Sequence, residues 1–291
     1  PSMKRLLLAL ALIGTSLCWA IEQTPYFKSA QEAIEWAQNE IRIINNNLES
    51  DIELDIKSWS IENFDKLYEV NTAIIFVEIK NDTDSTLLKT IPYHGLIQLF
   101  SRINLSDLLD LQMYSEACFE GFDKFKQHII AHNKPIQKII NAIKTKKYTF
   151  ANIDFNARPS AKKHTYFASI EKAQDWMDSW EDKLEYLIDT DPTLVEQLWI
   201  DNHDKLKEAS LSAKIFSYGP LNIDSLLTKP YVQSLNLTWP LNFKSILYWT
   251  IYLACSKQNQ PELQKIIKEK CPTIRPLIDL HKKTEKIWQI K

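Results

Sequence analysis

The chain repeats itself. Tyr26-Phe27, Ser29, Ala33, Trp36, Asp51, Leu54 and Trp59 recur 140 residues later as Tyr166-Phe167, Ser169, Ala173, Trp176, Asp191, Leu194 and Trp199. One deletion after Trp59 then brings Asn63 and Asp65-Lys66-Leu67 onto Asn202 and Asp204-Lys205-Leu206. The correspondence runs on through Pro92-Tyr93 and Pro230-Tyr231, Asn104 and Asn242, and Ala117-Cys118 and Ala254-Cys255. Self-similarity at a nearly fixed spacing points to one structural unit written twice. The map that follows is a first unit over 21–147, a linker poor in large apolar residues over 148–165, and a second unit over 166–291. A length of 291 residues suits two units, each able to bury its own core.

Glycine decides the fold class. Four glycines in 291 residues is about 1%, against a usual share of about 7%. Too few remain for a phosphate-cradling loop or a dinucleotide fingerprint, and sheet proteins spend glycine on their turns. The expectation is an all-α protein, a tandem duplication of a helical-bundle unit. It would have about ten to twelve helices in two pseudo-equivalent halves.

Apolar spacing places those helices. Ala30, Ala33, Ile34, Ala37, Ile41, Ile44 and Leu48 share one helical face, as do Ala173, Trp176, Met177, Trp180 and Leu184. Asp191-Pro192 starts a helix that continues past Leu206 toward Phe216 and stops at Gly219-Pro220. The β-branched run Ala73 to Val77 favours a strand by itself. Its counterpart, Ala209 to Phe216, lacks such a run, so both are read as helix. Helices are also expected over 106–118, 122–131, 244–255 and 261–270. A further helix, opened by proline, should begin near Lys134 and another near Cys271.

Lys4-Arg5, the apolar run Leu6 to Ile13 and the small residues Cys18 and Ala20 read as a secretory signal cleaved after Ala20. Pro1-Ser2 before Met3 has the look of a cloning scar. A periplasmic or secreted location follows. There, no disulfide is expected between Cys255 and Cys271, whose helical spacing puts them too far apart along the axis. Cys118 and Cys255, at equivalent positions, are expected to be buried packing residues.

Positive signals for chemistry are few. The 35 basic and 37 acidic residues are interspersed, so nucleic acid is not an expected partner. His128 and His132, four apart on one helix face, form the weak candidate for a metal pair, but no third ligand accompanies them. Lys265 and Glu269 in the second unit make a solvated face the simpler reading. No nucleophile elbow or Cys-x-x-Cys motif occurs, no cofactor is expected, and the chain is read as a non-enzyme. Glu116 and Glu120 are acidic candidates for binding a partner. Trp180 and Trp239 stand where the first unit has Glu40 and Ser101, so they suit the contact between units, or a partner's surface, better than a deep core.

These features suit a helical protein that binds another protein in the bacterial envelope. The most concrete version is an immunity protein that neutralises an envelope-acting toxin by direct binding. A scaffold or assembly factor gripping a peptide or helix between its two halves is the alternative. A hydrolase with an unrecognised carboxylate site is the third reading.

Overall fold

The computed structural model describes residues 25–49, 59, 62–81, 87–150, 152–155, 165–217, 228–242, 244–246, 248–249, 252–253 and 261–288. The expected leader, Cys255 and Gly219-Pro220 lie outside them. The protein is mostly helical, with no strand among the described residues, and none of their helices is long and apolar enough to cross a membrane.

The front half opens with α1 (Ala30–Glu49), held antiparallel to α2 (Phe64–Asn81). Ser29 Oγ accepts the amide of Glu32 at 3.2 Å and so caps α1. Ala30, Ala33 and Ala37 form its buried stripe. Small side chains at that spacing let the two helix axes approach closely. The segment entering α1 is stapled to α2 by Glu69, whose carboxylate accepts the backbone amides of Tyr26 and Phe27 at 2.8 and 3.1 Å. Helix wins over strand at Ala73 to Val77 because Leu67, Val70, Ala73 and Phe76 recur every three residues and all are buried. Tertiary burial of that stripe outweighs β-propensity.

A short 3-10 turn (Leu88–Thr90) leads to α3 (Tyr93–Arg102), which the sequence did not single out. Then come α4 (Leu105–Glu120), α5 (Asp123–His132) and α6 (Lys134–Lys144). Helix α4 is the pillar of the fold and is buried almost all round from Leu105 to Ala117. Asn104 caps its start through Asp107 N at 2.8 Å, and Gly121, at φ 74°, ends it in the left-handed region. A Cβ at Gly121 would meet nothing within 4 Å. Gly121→Ala is therefore expected to cost only the backbone strain, about 1 kcal/mol in a denaturant titration.

Cys118 departs from expectation: it is exposed, and Cys271 is the buried free thiol. The inward register of α4 falls on Met113, Tyr114 and Ala117. One residue further the helix has turned by about 100° and faces solvent. After α6 the chain tucks Phe150, Ile153 and Phe155 into the core. Tyr148 passes so close to Gly95 that a Cβ there would lie 3.2 Å from Tyr148 Cβ.

The back half runs through α7 (Ile170–Ile188), α8 (Pro192–Ser217), α9 (Thr228–Thr238), helical residues within 244–253, α10 (Pro261–Lys270), a 3-10 turn (Pro272–Ile274) and α11 (Arg275–Trp288). Several devices of the front half return. Ser169 caps α7 through Lys172 N at 3.3 Å, and Asp191 caps α8 through Leu194 N at 3.0 Å. Glu208 accepts the amides of Tyr166 and Phe167 at 2.9 and 3.2 Å. Lys205 lies 4.4 Å from the Trp176 ring, as Lys66 lies 5.2 Å from that of Trp36. Asn242 accepts the amide of Ser245 at 2.8 Å, as Asn104 does that of Asp107.

The halves meet along a continuous seam. Asn104 and Asn242 face each other in an antiparallel bridge, and Leu105 N donates to Leu241 O at 2.8 Å. From α8, Glu196 Oε1 accepts the first free amides of α5, Lys124 N at 2.6 Å and Phe125 N at 3.1 Å. That places a carboxylate at the positive end of a helix. Trp199 meets Phe122 and Phe125 edge-on, with centroids 5.6 and 5.3 Å apart.

Candidate functional site

Where α8 crosses α4 and α5, the seam opens into a cavity of about 800 Å³. The front half contributes Asp107, Asp110, His128, His132, Asn133 and Lys134 to its lining. The back half contributes Tyr166, Asp201, His203, Asp204, Lys207 and Trp239.

The floor is an ionic cluster. Asp110 Oδ1 accepts from His203 Nε2 at 2.9 Å, and Oδ2 accepts from Lys207 Nζ at 2.7 Å and Asn133 Nδ2 at 2.6 Å. The same Asn133 amide donates to Asp107 Oδ1 at 2.7 Å. Asn133 can do this because it sits between α5 and α6, where its Oδ1 caps Ile136 N at 3.1 Å and its NH2 is left pointing at α4. Asp107 and Asp110 are one turn apart on α4 and so present to the same side.

The two carboxylates feel opposite pressures. Burial pushes Asp110 upward, but the His203 hydrogen bond and the Lys207 charge overcome it and hold the group below the usual carboxylate range. Burial pushes Asp107 upward and is only partly offset by Asn133, so its proton is held more tightly than usual.

Three imidazoles line one wall. His128 lies 4.2 Å from His132 and 5.2 Å from His203, centroid to centroid, and Phe125 stacks behind it. His132 Nδ1 donates to the His128 carbonyl at 2.7 Å, because a carbonyl can only accept. His203 presents Nε2 to Asp110. With those nitrogens engaged, the geometry does not assemble a ligand set, and no group of three metal-ligating side chains suited to an ion occurs among the described residues.

Of the residues singled out by sequence, the cavity gathers His128, His132 and Trp239. Trp239 is buried against the seam, its ring 5.4 Å from Lys207 Nζ. Trp180 lies elsewhere, buried in the back half and stacked on Trp176 at 5.1 Å. In the front half Glu40 accepts from the Trp59 indole at 3.1 Å, whereas the indole nitrogen of Trp199 has no partner among the described residues, and Trp180 stands at the position equivalent to that glutamate. Glu116 and Glu120 are exposed on α4 and do not line the cavity.

Asp107, Asp110, Asn133, His203 and Lys207 were not singled out. The signal was present as two aspartates inside the apolar run Leu105 to Leu111. It was present again as His203 and Lys207 standing where the first unit has Phe64 and Tyr68. Comparison of the chain with family models, with curated proteins and with solved structures found no match.

The imidazole wall gives stability a pH dependence of known sign. Burial, with His132 and His203 nearby, lowers the His128 pKa from its ordinary 6.5. Asp204 and Asp110 oppose the shift without cancelling it. A depressed histidine binds its proton less readily folded than unfolded, so stability is intact above pH 6.5 and declines as pH falls through that value. Denaturant midpoints measured at falling pH should decline, and His128→Gln should flatten that slope.

Proposed function

We propose that this chain binds another polypeptide, and that the cavity between its halves is where it does so. The observation that carries the reading is the cavity itself. It lies on the seam, has aromatic walls in Tyr166 and Trp239, and has a floor already rigid through its own ion pairs. Preorganised clefts of this size between packed elements are characteristic binding sites. An exported immunity protein that neutralises an envelope-acting toxin is the most concrete form. A scaffold gripping a peptide between the halves uses the same surface. The leader over residues 1–20 supports a periplasmic or secreted location.

We also propose that the halves are two copies of one unit. Equivalent Glu staples, Ser and Asn caps and Lys-over-Trp contacts support this, since unrelated bundles have no reason to repeat them at matching positions.

The opposed shifts of Asp107 and Asp110 favour a two-carboxylate hydrolase as second reading. Against it, Asp110 accepts three hydrogen bonds from within the protein, which leaves little capacity for a water or a substrate.

A photocrosslinking residue at Ala131, on the cavity rim, should capture the partner in cells that express both proteins. The same residue at Glu116, exposed on α4 outside the cavity, should not. Capture from position 116 and not from 131 would place recognition elsewhere and overturn the reading.

A further inference from the structure

We infer that the cavity receives an arginine side chain of the partner, with its guanidinium held by Asp107. The inference rests on the binding reading above and names the chemistry of what enters.

Asp107 is 8% exposed, and its carboxylate is met by two neutral amides, Asn133 at 2.7 Å and the side chain of Asn104. Its neighbour Asp110 receives three hydrogen bonds. A carboxylate has about four acceptor positions, so two amides leave Asp107, which lines the cavity, with capacity to spare. Burying a carboxylate that only neutral amides satisfy is costly, and a cation at the remaining positions offsets that cost.

Charge around the cavity agrees. Four aspartates, Asp107, Asp110, Asp201 and Asp204, share the cavity lining with two lysines, Lys134 and Lys207. Lys207 is already committed to Asp110, and Asp201 and Asp204 are exposed at the mouth. A cation approaching the cavity is therefore attracted at the rim and neutralised at the floor.

Arginine fits better than lysine. The guanidinium is more weakly hydrated than an ammonium and loses less on reaching a buried floor. Its planar fork can bond a carboxylate while its face lies along an aromatic ring. Tyr166 on the cavity wall offers such a ring, and its apolar body suits the arginine stem.

The test titrates three capped tripeptides, Gly-Arg-Gly, Gly-Lys-Gly and Gly-citrulline-Gly, into the full chain and follows heat and tryptophan fluorescence. Citrulline keeps the shape of arginine and removes the charge. Arginine should bind roughly tenfold or more tighter than citrulline, with lysine between them. Asp107→Asn should abolish the arginine preference while leaving the thermal transition near that of the parent. Equal binding of all three peptides would overturn the arginine assignment and leave the cavity a peptide site. An unchanged preference in Asp107→Asn would overturn the role of Asp107. Since the peptide series on the parent chain needs no variant, a poorly folded Asp107→Asn does not rescue the idea. Failure of the binding reading is seen separately, in the crosslinking from position 131.

Discussion

Asp110→Ala is expected to destabilise the protein by about 3–5 kcal/mol, because it removes one partner of a buried ion pair and leaves the others behind. The Asp110 and Lys207 side chains are 2% and 8% exposed, and their contact is 2.7 Å. Without the carboxylate, a buried ammonium, the His203 Nε2 donor and one Asn133 hydrogen lose their acceptor together. Asp110→Asn keeps the shape and part of the hydrogen bonding, so it should cost less. Lys207→Met should also cost less than Asp110→Ala, since His203 and Asn133 still satisfy the carboxylate. The double change Asp110→Leu with Lys207→Met removes both charges and should recover much of the loss, as apolar replacements of buried pairs often do. The effect should persist at high salt, because a pair this buried is little screened. Denaturant unfolding of the four proteins measures all of this. A loss below about 1 kcal/mol for Asp110→Ala would reduce the cluster to an ordinary surface contact. The location adds a second signature. Asp110 belongs to α4 and two of its three partners, His203 and Lys207, to α8, so its loss should loosen the seam first. Near-ultraviolet signals from Trp199 and Trp239 should then change before helix content falls.

How much of this was legible in the sequence depended on whether the cause was local. Helix α8 was readable because Asp191 and Pro192 act on adjacent backbone, and the structure has the Asp191 cap. Helix α1 was readable because a stripe of alanines needs only the 3.6-residue period. Helix α3 escaped although His94, Gln98 and Arg102 give it a polar side, because it is only ten residues long and Tyr93, Gly95, Leu96, Ile97, Leu99 and Phe100 read as one apolar run. Cys118 was misplaced by one position along α4, where about 100° of rotation separates the core from solvent. The cavity was half legible. His128 and His132 were visible as a spaced pair and Trp239 as a break in the repeat. The ionic floor was not, since Asp110 meets His203 and Lys207 across 93 and 97 residues of sequence. No window spans that separation. What could have revealed it is comparison of the copies, in which the first has Phe64 and Tyr68 where the second has His203 and Lys207.

The two glutamate staples make the second large prediction and reach the same question from the core. Glu208 is fully buried and accepts the backbone amides of Tyr166 and Phe167, with the Tyr231 hydroxyl 3.4 Å away. Glu69 accepts from Tyr26 and Phe27, and Tyr93 donates to its carbonyl at 2.9 Å. Bonds to a charged acceptor contribute about 1.5–3 kcal/mol each, and donors left buried without a partner add their own penalty. Glu208→Ala is therefore expected to cost about 3 kcal/mol and to free the entry to α7 from α8. Glu69→Ala should cost a similar amount and free the entry to α1. Glutamine at either position retains one carbonyl acceptor and should recover roughly half. Amide exchange reports the location: Glu208→Ala should speed exchange at Phe167 and in the first turn of α7, leaving Phe27 protected. Glu69→Ala should do the reverse. Matched costs with exchange confined to the mutated half would mean that one anchoring device is used twice, each copy securing its own helical hairpin. Loss of protection in both halves from either change would instead make the seam, with Asp110 at its centre, the unit that folds.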